Sequence, residues 1–320
     1  MVQKYASTLQ AGAGARGTSD TDPASGGAPS SLESRTRYVQ VGQNPVDSDG
    51  SVIPISTEPS DDGIQWGVSL YDFGQGEYEA IAYRVDEKPR KKKKKSDSDK
   101  KEKPKNRSDI DEMHRLRSAY RAKKEMRHKV MMMGADRMLT LTTRENISDR
   151  DKFLKCLDRF RRRCARQWPN FQTVIVLELQ ERGAYHAHLA LNKFYNVNLL
   201  RYFWREAICG DGNASGNDSP GNIDMTSPVK GNYNRSKIAR YLSKYMGKEE
   251  LDLPAGSKRY MTWGKIPAPK KHVFYVSPTF DPFYQIKKLL ESITQKRMRK
   301  FFELPPSVFS EIYWFSSVGN

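Results

Sequence analysis

The chain has 320 residues, a formal net charge of +17 and a hydrophobic fraction of 37%, which is low for a fully packed globular protein. A charge this large favours an anionic polymer as partner, either nucleic acid or an anionic membrane surface. No apolar run approaches the roughly 20 residues that cross a bilayer. The N-terminus lacks the apolar core of a signal peptide, and the three cysteines lack the spacing of a disulfide framework or zinc site. These features predict a cytoplasmic protein with no membrane partner.

The first third of the chain divides into three segments of different composition. Residues 1–61 are rich in Gly, Ala, Ser, Asp and Pro without apolar periodicity, which predicts a disordered tail. Residues 62–87 mix aromatic residues with a Gly-containing turn and are predicted to form a small hairpin that docks elsewhere. Residues 88–107 hold twelve Lys or Arg against three acids, and subtracting this +9 leaves +8 for the other 300 residues. We interpret this run as a basic flexible linker; the alternative is an electrostatic tether to phosphates.

Helix and strand patterns alternate from Ser108 onward. In chain order the patterns predict a long basic helix over 108–133, a strand over 137–144, a helix over 149–167, strands over 173–179 and 185–192, a helix over 199–208, a short strand over 222–229, a helix over 236–250, and late strands over 258–267 and 272–278. Helices mixed with hairpin-connected strands predict an α+β domain over 108–300, with helices against a largely antiparallel sheet. Residues 301–320 are predicted to be a C-terminal tail.

Two histidines occupy one face of a predicted strand. His186 and His188 flank Ala187, and side chains at i and i+2 share a face roughly 7 Å apart along the strand. The imidazoles can therefore converge on one metal ion, although such pairs also occur by chance on solvent-facing strands.

A carboxylate in the preceding strand supports the metal interpretation. Glu178 interrupts an otherwise apolar strand, where an unpaired carboxylate would be costly. A three- or five-residue connection centred on Arg182 and Gly183 places Glu178 on the face of the histidines, whereas a two-residue turn places it on the other face. Glu181, in the turn, is the weaker candidate. Two histidines and one carboxylate suit Mn²⁺, Mg²⁺ or Zn²⁺.

Two tyrosines share one face of the predicted helix over 236–250. Tyr241 and Tyr245 are four residues apart, and Lys244 and Lys248 each follow a tyrosine by three residues. Aromatic residues at this spacing ordinarily belong to a core. Beside a metal site, however, a phenol becomes a candidate nucleophile, and a nearby lysine can stabilise developing charge or orient a phosphate.

These segments, in this order, resemble the motifs of the HUH endonuclease superfamily. They are MLTLT at 138–142, GAYHAHLAL at 183–191 and YLSKYMGK at 241–248. The two-tyrosine form, Tyr-x-x-Lys-Tyr, is similar to the rolling-circle replication initiators of small single-stranded-DNA phages and rolling-circle plasmids. The resemblance covers about residues 110–275. Ala187, between the histidines, is smaller than the usual bulky residue.

The resemblance implies a site and a reaction. It implies a five-stranded antiparallel sheet flanked by helices, with the histidines on a central strand and Mg²⁺ or Mn²⁺ held by His186, His188 and Glu178. Tyr241 or Tyr245 would attack a phosphate of single-stranded or extruded origin DNA, form a 5′-phosphotyrosine and release a 3′-OH. A host DNA polymerase would extend this end in the bacterial cytoplasm. A host helicase would unwind the duplex, since the chain has no P-loop.

A cluster of arginines on the predicted helix over 149–167 is a candidate phosphate contact. The cluster comprises Arg159, Arg161, Arg162, Arg163 and Arg166. Its alternative interpretation is a solvated helix face. The whole-chain alternatives are a relaxase or transposase of the same superfamily, a non-catalytic origin-binding protein, and a metal-dependent nuclease that uses water.

Overall fold

A computed structural model describes residues 55–56, 58–59, 64–85, 107–209, 220–226, 234–248, 258–278, 280–304 and 311–318. All of them belong to one unit, residues 36–320. The predicted disordered tail lies outside the described residues apart from 55–56 and 58–59, and the predicted basic linker apart from Arg107. Within the described ranges, no helix has both the length and the apolar character needed to cross a bilayer.

Eleven strands and five helices make up the described ranges. In chain order they are β1 (Ile55–Ser56), β2 (Gln65–Asp72), β3 (Tyr78–Val85), α1 (Arg107–Met133), β4 (Arg137–Thr143), α2 (Arg150–Gln167), β5 (Thr173–Leu179), β6 (Tyr185–Leu191), α3 (Val197–Cys209), β7 (Gly221–Met225), α4 (Arg235–Lys248), β8 (Met261–Trp263), β9 (Lys270–Val276), α5 (Pro282–Thr294), β10 (Lys300–Glu303) and β11 (Ile312–Ser316).

The predicted five-stranded antiparallel sheet is confirmed. Its strand order is β7-β4-β6-β5-β8, so β6, which carries both histidines, is central. Alternation along the strands separates two sets of side chains. One face, which includes Leu177 and Ala187, packs against α2 and α3. The other face, which includes Val176 and Ala190, packs against α1 and α4.

The two helical layers follow from the sequence pattern. Helix α2 buries Phe153, Leu157, Phe160 and Cys164, which recur at helical spacing. Asp149 caps its N-terminus by accepting hydrogen bonds from the backbone N–H groups of residues 151 and 152.

A second, six-stranded antiparallel sheet was not predicted. Its order is β1-β9-β2-β3-β11-β10, and α5 covers one of its faces. The hairpin over 62–87 therefore docks on β9, which comes from the predicted 108–300 domain. The structure also differs from the expected tail over 301–320, because β10 and β11 pair with each other and extend the sheet from β3. Phe315, fully buried beneath α5, explains the order of this segment.

Helix α1 lies between the two sheets and joins them. Met126 and Val130 pack on the five-stranded sheet. On the side of the six-stranded sheet, Arg127 forms an ion pair with Glu79 of β3, at 2.5 Å from Nη2 to Oε2, and lies over the Trp314 ring. The six-stranded sheet thus buttresses the helical layer that covers the histidine face.

Candidate active site

The register of the β5–β6 hairpin brings Glu178 onto the histidine face. Five residues, 180–184, connect the strands, and Glu178 pairs directly with His186. Gly183 adopts φ +82° in this connection, a conformation that glycine accepts without strain. This pairing confirms one of the two registers that the sequence allowed.

His188 is held between a carboxylate and a hydroxyl. Its Nε2 lies 2.9 Å from Oε2 of Glu178, and its Nδ1 lies 3.2 Å from Oγ1 of Thr140. His186 is equally buried, but its Nε2 has no hydrogen-bond partner in the described part of the chain. A buried ring nitrogen without a partner is costly, and a bound cation would remove that cost.

Electrostatics keep His186 neutral. Burial, reinforced by the nearby charges of His188 and Arg182, lowers the pKa of His186 to about 4, against a smaller opposing effect of Glu178. Its imidazole therefore keeps a nitrogen lone pair at physiological pH, the form that binds metal ions.

The donor set matches a divalent cation in its chemistry. Two ligands about 2.1 Å from one octahedral ion lie roughly 3 Å apart when adjacent, close to the separation of His188 from Glu178. As the side chains stand, however, no three His, Cys, Asp or Glu residues of the described ranges form a group that could hold an ion. His186 is on the right face with an unsatisfied nitrogen, while Glu178 is engaged by His188.

Both tyrosines of α4 lie against His188. The Tyr245 ring stacks on the imidazole with centroids 4.3 Å apart and planes 20° apart. The Tyr241 ring meets the imidazole edge-on at 6.0 Å. The two phenolic hydroxyls hydrogen bond to each other. The fold thus brings together two histidines, a carboxylate and two phenols from three different elements.

Packing fixes the orientation of α4. Ile238, Leu242 and Met246 are buried against the sheet and α1, which leaves the tyrosine stripe facing the histidines. At the helix start, Asn234 accepts a hydrogen bond from the backbone N–H of residue 237, and Arg235 forms an ion pair with Glu77 at 2.5 Å.

The lysines predicted beside the tyrosines occupy the outer part of α4. Lys244 is exposed, one helical turn from Tyr241. Lys248 is the last residue of the helix, and its side chain lies outside what the structure describes. Glu181 is exposed in the β5–β6 connection.

The arginine cluster of α2 is not brought to this site. Helix α2 packs on the face of Leu177 and Ala187, opposite the histidines. Arg161 and Arg162 pair with Asp158, and Arg163 lies 3.7 Å from Glu206. The remaining two members, Arg159 and Arg166, bond to backbone carbonyls. This arrangement favours the interpretation of a solvated helix face.

Sequence reasoning missed Thr140 as a site residue. It pairs with His188 across β4 and β6, and its hydroxyl meets the imidazole Nδ1. Such a contact orients the ring, as groups around metal-binding histidines commonly do. The signal was present in MLTLT, since Thr140 alternates with the buried Leu139 and Leu141 and so occupies the histidine face.

One comparison with known proteins bears on this geometry. Residues 136–250 match the family model for the replication-associated protein ORF2. The matched stretch runs from β4 to α4 and contains both histidines, Glu178 and both tyrosines. No curated protein and no solved structure matches the chain. The match associates the central part of the chain with replication.

Proposed function

We propose that this protein initiates rolling-circle replication by nicking single-stranded or extruded origin DNA and linking itself to the 5′ phosphate through Tyr241 or Tyr245. The observation that carries the proposal is the contact of both tyrosine rings with His188. An ordinary core would not require two buried histidines and a carboxylate beneath those rings. The replication-associated family match over 136–250 supports the same assignment.

The chemistry follows from the residues. A phenolic oxygen attacks phosphorus in line, and the bond from phosphorus to the 3′ oxygen breaks. The phenol proton is lost, and the leaving oxygen takes up a proton to become a 3′-OH. The product is a phosphotyrosine on the downstream strand, with a primer for a host polymerase on the upstream strand.

The paired phenols suit two successive cleavages. Because Tyr241 and Tyr245 hydrogen bond to each other and both touch His188, either oxygen lies near the same reaction centre. When one is occupied by DNA, the other can attack the regenerated origin. The first linkage is then resolved when a 3′-OH attacks the phosphotyrosine.

His186, His188 and Glu178 would hold a divalent cation, Mg²⁺ or Mn²⁺, after Glu178 and the ring of His186 turn toward a common point. Such a cation polarises a phosphate oxygen and stabilises charge in the transition state. Thr140 would keep the His188 ring in the orientation that points Nε2 toward the carboxylate. Lys244, exposed one turn from Tyr241, would contact the phosphate or its neighbour.

A denaturing gel tests the proposal. The purified chain is incubated with 3′-end-labelled single-stranded DNA from the replicon that encodes it, in the presence of Mn²⁺ or Mg²⁺. We expect label to migrate with the protein, and this adduct to disappear with EDTA, with His188→Ala and with Tyr241→Phe/Tyr245→Phe. Tyr202→Phe, an exposed tyrosine of α3 on the other side of the sheet, is the matched control and should leave the adduct unchanged.

Other outcomes would identify the alternatives. Cleavage without a protein-linked product would indicate water as the nucleophile and exclude the role of both tyrosines. Binding to the origin without any cleavage would indicate a non-catalytic origin-binding protein.

A further inference from the structure

A basic and aromatic cleft lies beside α4, on the side of the six-stranded sheet. It measures about 470 Å³, and it lies among α1, α4 and the β10–β11 hairpin. Its lining includes Ser236, Arg240 and Ser243 of α4 together with Lys300, Phe302 and Trp314 of the hairpin. None of the chemistry proposed above uses it.

The floor of the cleft is an aromatic platform. Phe302 and Trp314 are cross-strand partners, and their rings stack with centroids 4.8 Å apart. Phe302 is 47% exposed. The guanidinium of Arg127 lies 4.9 Å from the centroid of the Trp314 ring. A large exposed ring backed by a second ring is a surface on which a flat nucleobase can stack.

The walls of the cleft are cationic. Lys300 shares the face of Phe302, two residues along β10, and Arg240 lines the cleft from α4. Burial lowers the pKa of Lys300, and the nearby charge of Arg240 lowers it further, which shows that the two cations lie close together. Among the described residues that line the cleft, Glu79 is the one carboxylate, and it is 4% exposed and bonded to Arg127. The accessible surface therefore attracts anions.

The cleft is connected to the tyrosines along α4. Arg240 and Lys244 are four residues apart and adjacent on the helix surface, and Lys244 is three residues from Tyr241. Arg240 and Lys244 are both exposed. A phosphate backbone that leaves the cleft can thus follow Arg240 and Lys244 to the tyrosine site.

We propose that the cleft binds a segment of single-stranded DNA next to the nick site, with a base stacked on Phe302 and phosphates held by Arg240 and Lys300. Its narrow volume admits single nucleotides but not a duplex, and stacking with cations is the usual mode of single-strand binding. The direction of the strand toward the tyrosines rests on the function proposed above; the binding itself does not.

A matched pair of variants tests the proposal. Phe302 and Phe301 are neighbours on β10 and are equally exposed, at 47% and 48%. Phe301 instead faces α5, where it contacts Phe283. We expect Phe302→Ala to weaken binding of a fluorescein-labelled oligothymidine of about 15 nucleotides by at least about fivefold, the effect of losing one stacked base, and Phe301→Ala to change it less than twofold. Fluorescence anisotropy in EDTA measures both, and the melting temperature shows that each variant is folded.

The outcomes separate this proposal from the nicking reaction. Equal affinity for the wild type and Phe302→Ala, with adduct formation intact, would overturn the cleft and leave the nicking proposal standing. A selective loss of affinity in Phe302→Ala would support the cleft even if no adduct formed. An effect confined to duplex DNA would also overturn it.

A second measurement does not depend on a stable variant. Oligothymidine that carries 5-iododeoxyuridine, irradiated on the wild-type chain, should crosslink to Phe302 or Trp314. Crosslinks confined to peptides outside the cleft would contradict the proposal.

Discussion

The buried ion pair that joins α1 to the six-stranded sheet gives the sharpest stability prediction. Glu79 is 4% exposed, and its Oε2 lies 2.5 Å from Nη2 of Arg127 and 3.4 Å from Nε2 of His128. Glu79→Gln keeps the shape of the side chain but removes its charge, and it leaves Arg127 without a counter-ion at a part-buried position. Removal of one partner from a buried pair costs about 3–5 kcal/mol. Because glutamine retains one acceptor oxygen, we expect about 3 kcal/mol.

The same interaction predicts a pH dependence. Burial raises the pKa of the Glu79 carboxyl, but Arg127 and His128 together outweigh burial and hold the pKa below its usual value. As pH falls, the unfolded chain therefore takes up the proton first. The contribution of Glu79 is complete above a pH of about 4.3 and is lost as pH falls through the lowered pKa. The stability gap between the wild type and Glu79→Gln should narrow in that range.

Urea unfolding at pH 7 measures the effect. We expect a lower midpoint at unchanged m-value, and a melting temperature lower by about 6–12 °C. Glu145→Gln is the matched control, since Glu145 forms a 2.8 Å ion pair with Lys152 in which both side chains are more than half exposed. Its loss should cost less than about 1 kcal/mol. Equal costs for the two variants would refute the claim that the Glu79 pair anchors α1.

Three further predictions concern the site. Tyr241→Phe and Tyr245→Phe should each still form a DNA adduct, whereas the double variant should form none on a denaturing gel; an adduct in the double variant would exclude both phenols. Glu178→Gln should weaken Mn²⁺ binding by about 10–100-fold in calorimetry, and unchanged affinity would remove Glu178 from the ligand set. Ala187→Leu should cost about 1–3 kcal/mol in urea unfolding, because Ala187 is fully buried against the α2 layer; a neutral result would mean that this layer can make room for the larger side chain.

Much of the five-stranded sheet was predictable because its signals are local. The alternation in MLTLT and the apolar runs around Glu178 and His186 each mark a strand within seven residues. The parity of the connection at 180–184 then placed Glu178 on the histidine face, as the register shows. That these residues bind a metal stays a prediction.

The second sheet was not predictable because its pairing is not local. Strands β2 and β3 lie about 190 residues before β9, and β10 and β11 are short segments that end an aromatic-rich stretch. Each looked like a hairpin or tail by itself, and only burial of Trp66, Phe274 and Phe315 in a common core unites them. Local patterns carry no information on which distant strands will pair.

The arginine cluster shows a related limit. The spacing of Phe153, Leu157 and Phe160 identified the buried side of α2. It could not show which face of the sheet that side would cover. The helix covers the face opposite His188, so its exposed arginines lie away from the tyrosines.

The identity of the linked residue tests the central claim most directly. Trypsin cleaves after Arg240, Lys244 and Lys248, so Tyr241 and Tyr245 fall on separate peptides, 241–244 and 245–248. After nuclease trimming of the DNA adduct, we expect mass spectrometry to find a phosphonucleotide on the tyrosine of one or both peptides. A phosphonucleotide only on Ser243 or on a peptide outside α4, or no linked nucleotide beside efficient cleavage, would contradict the account.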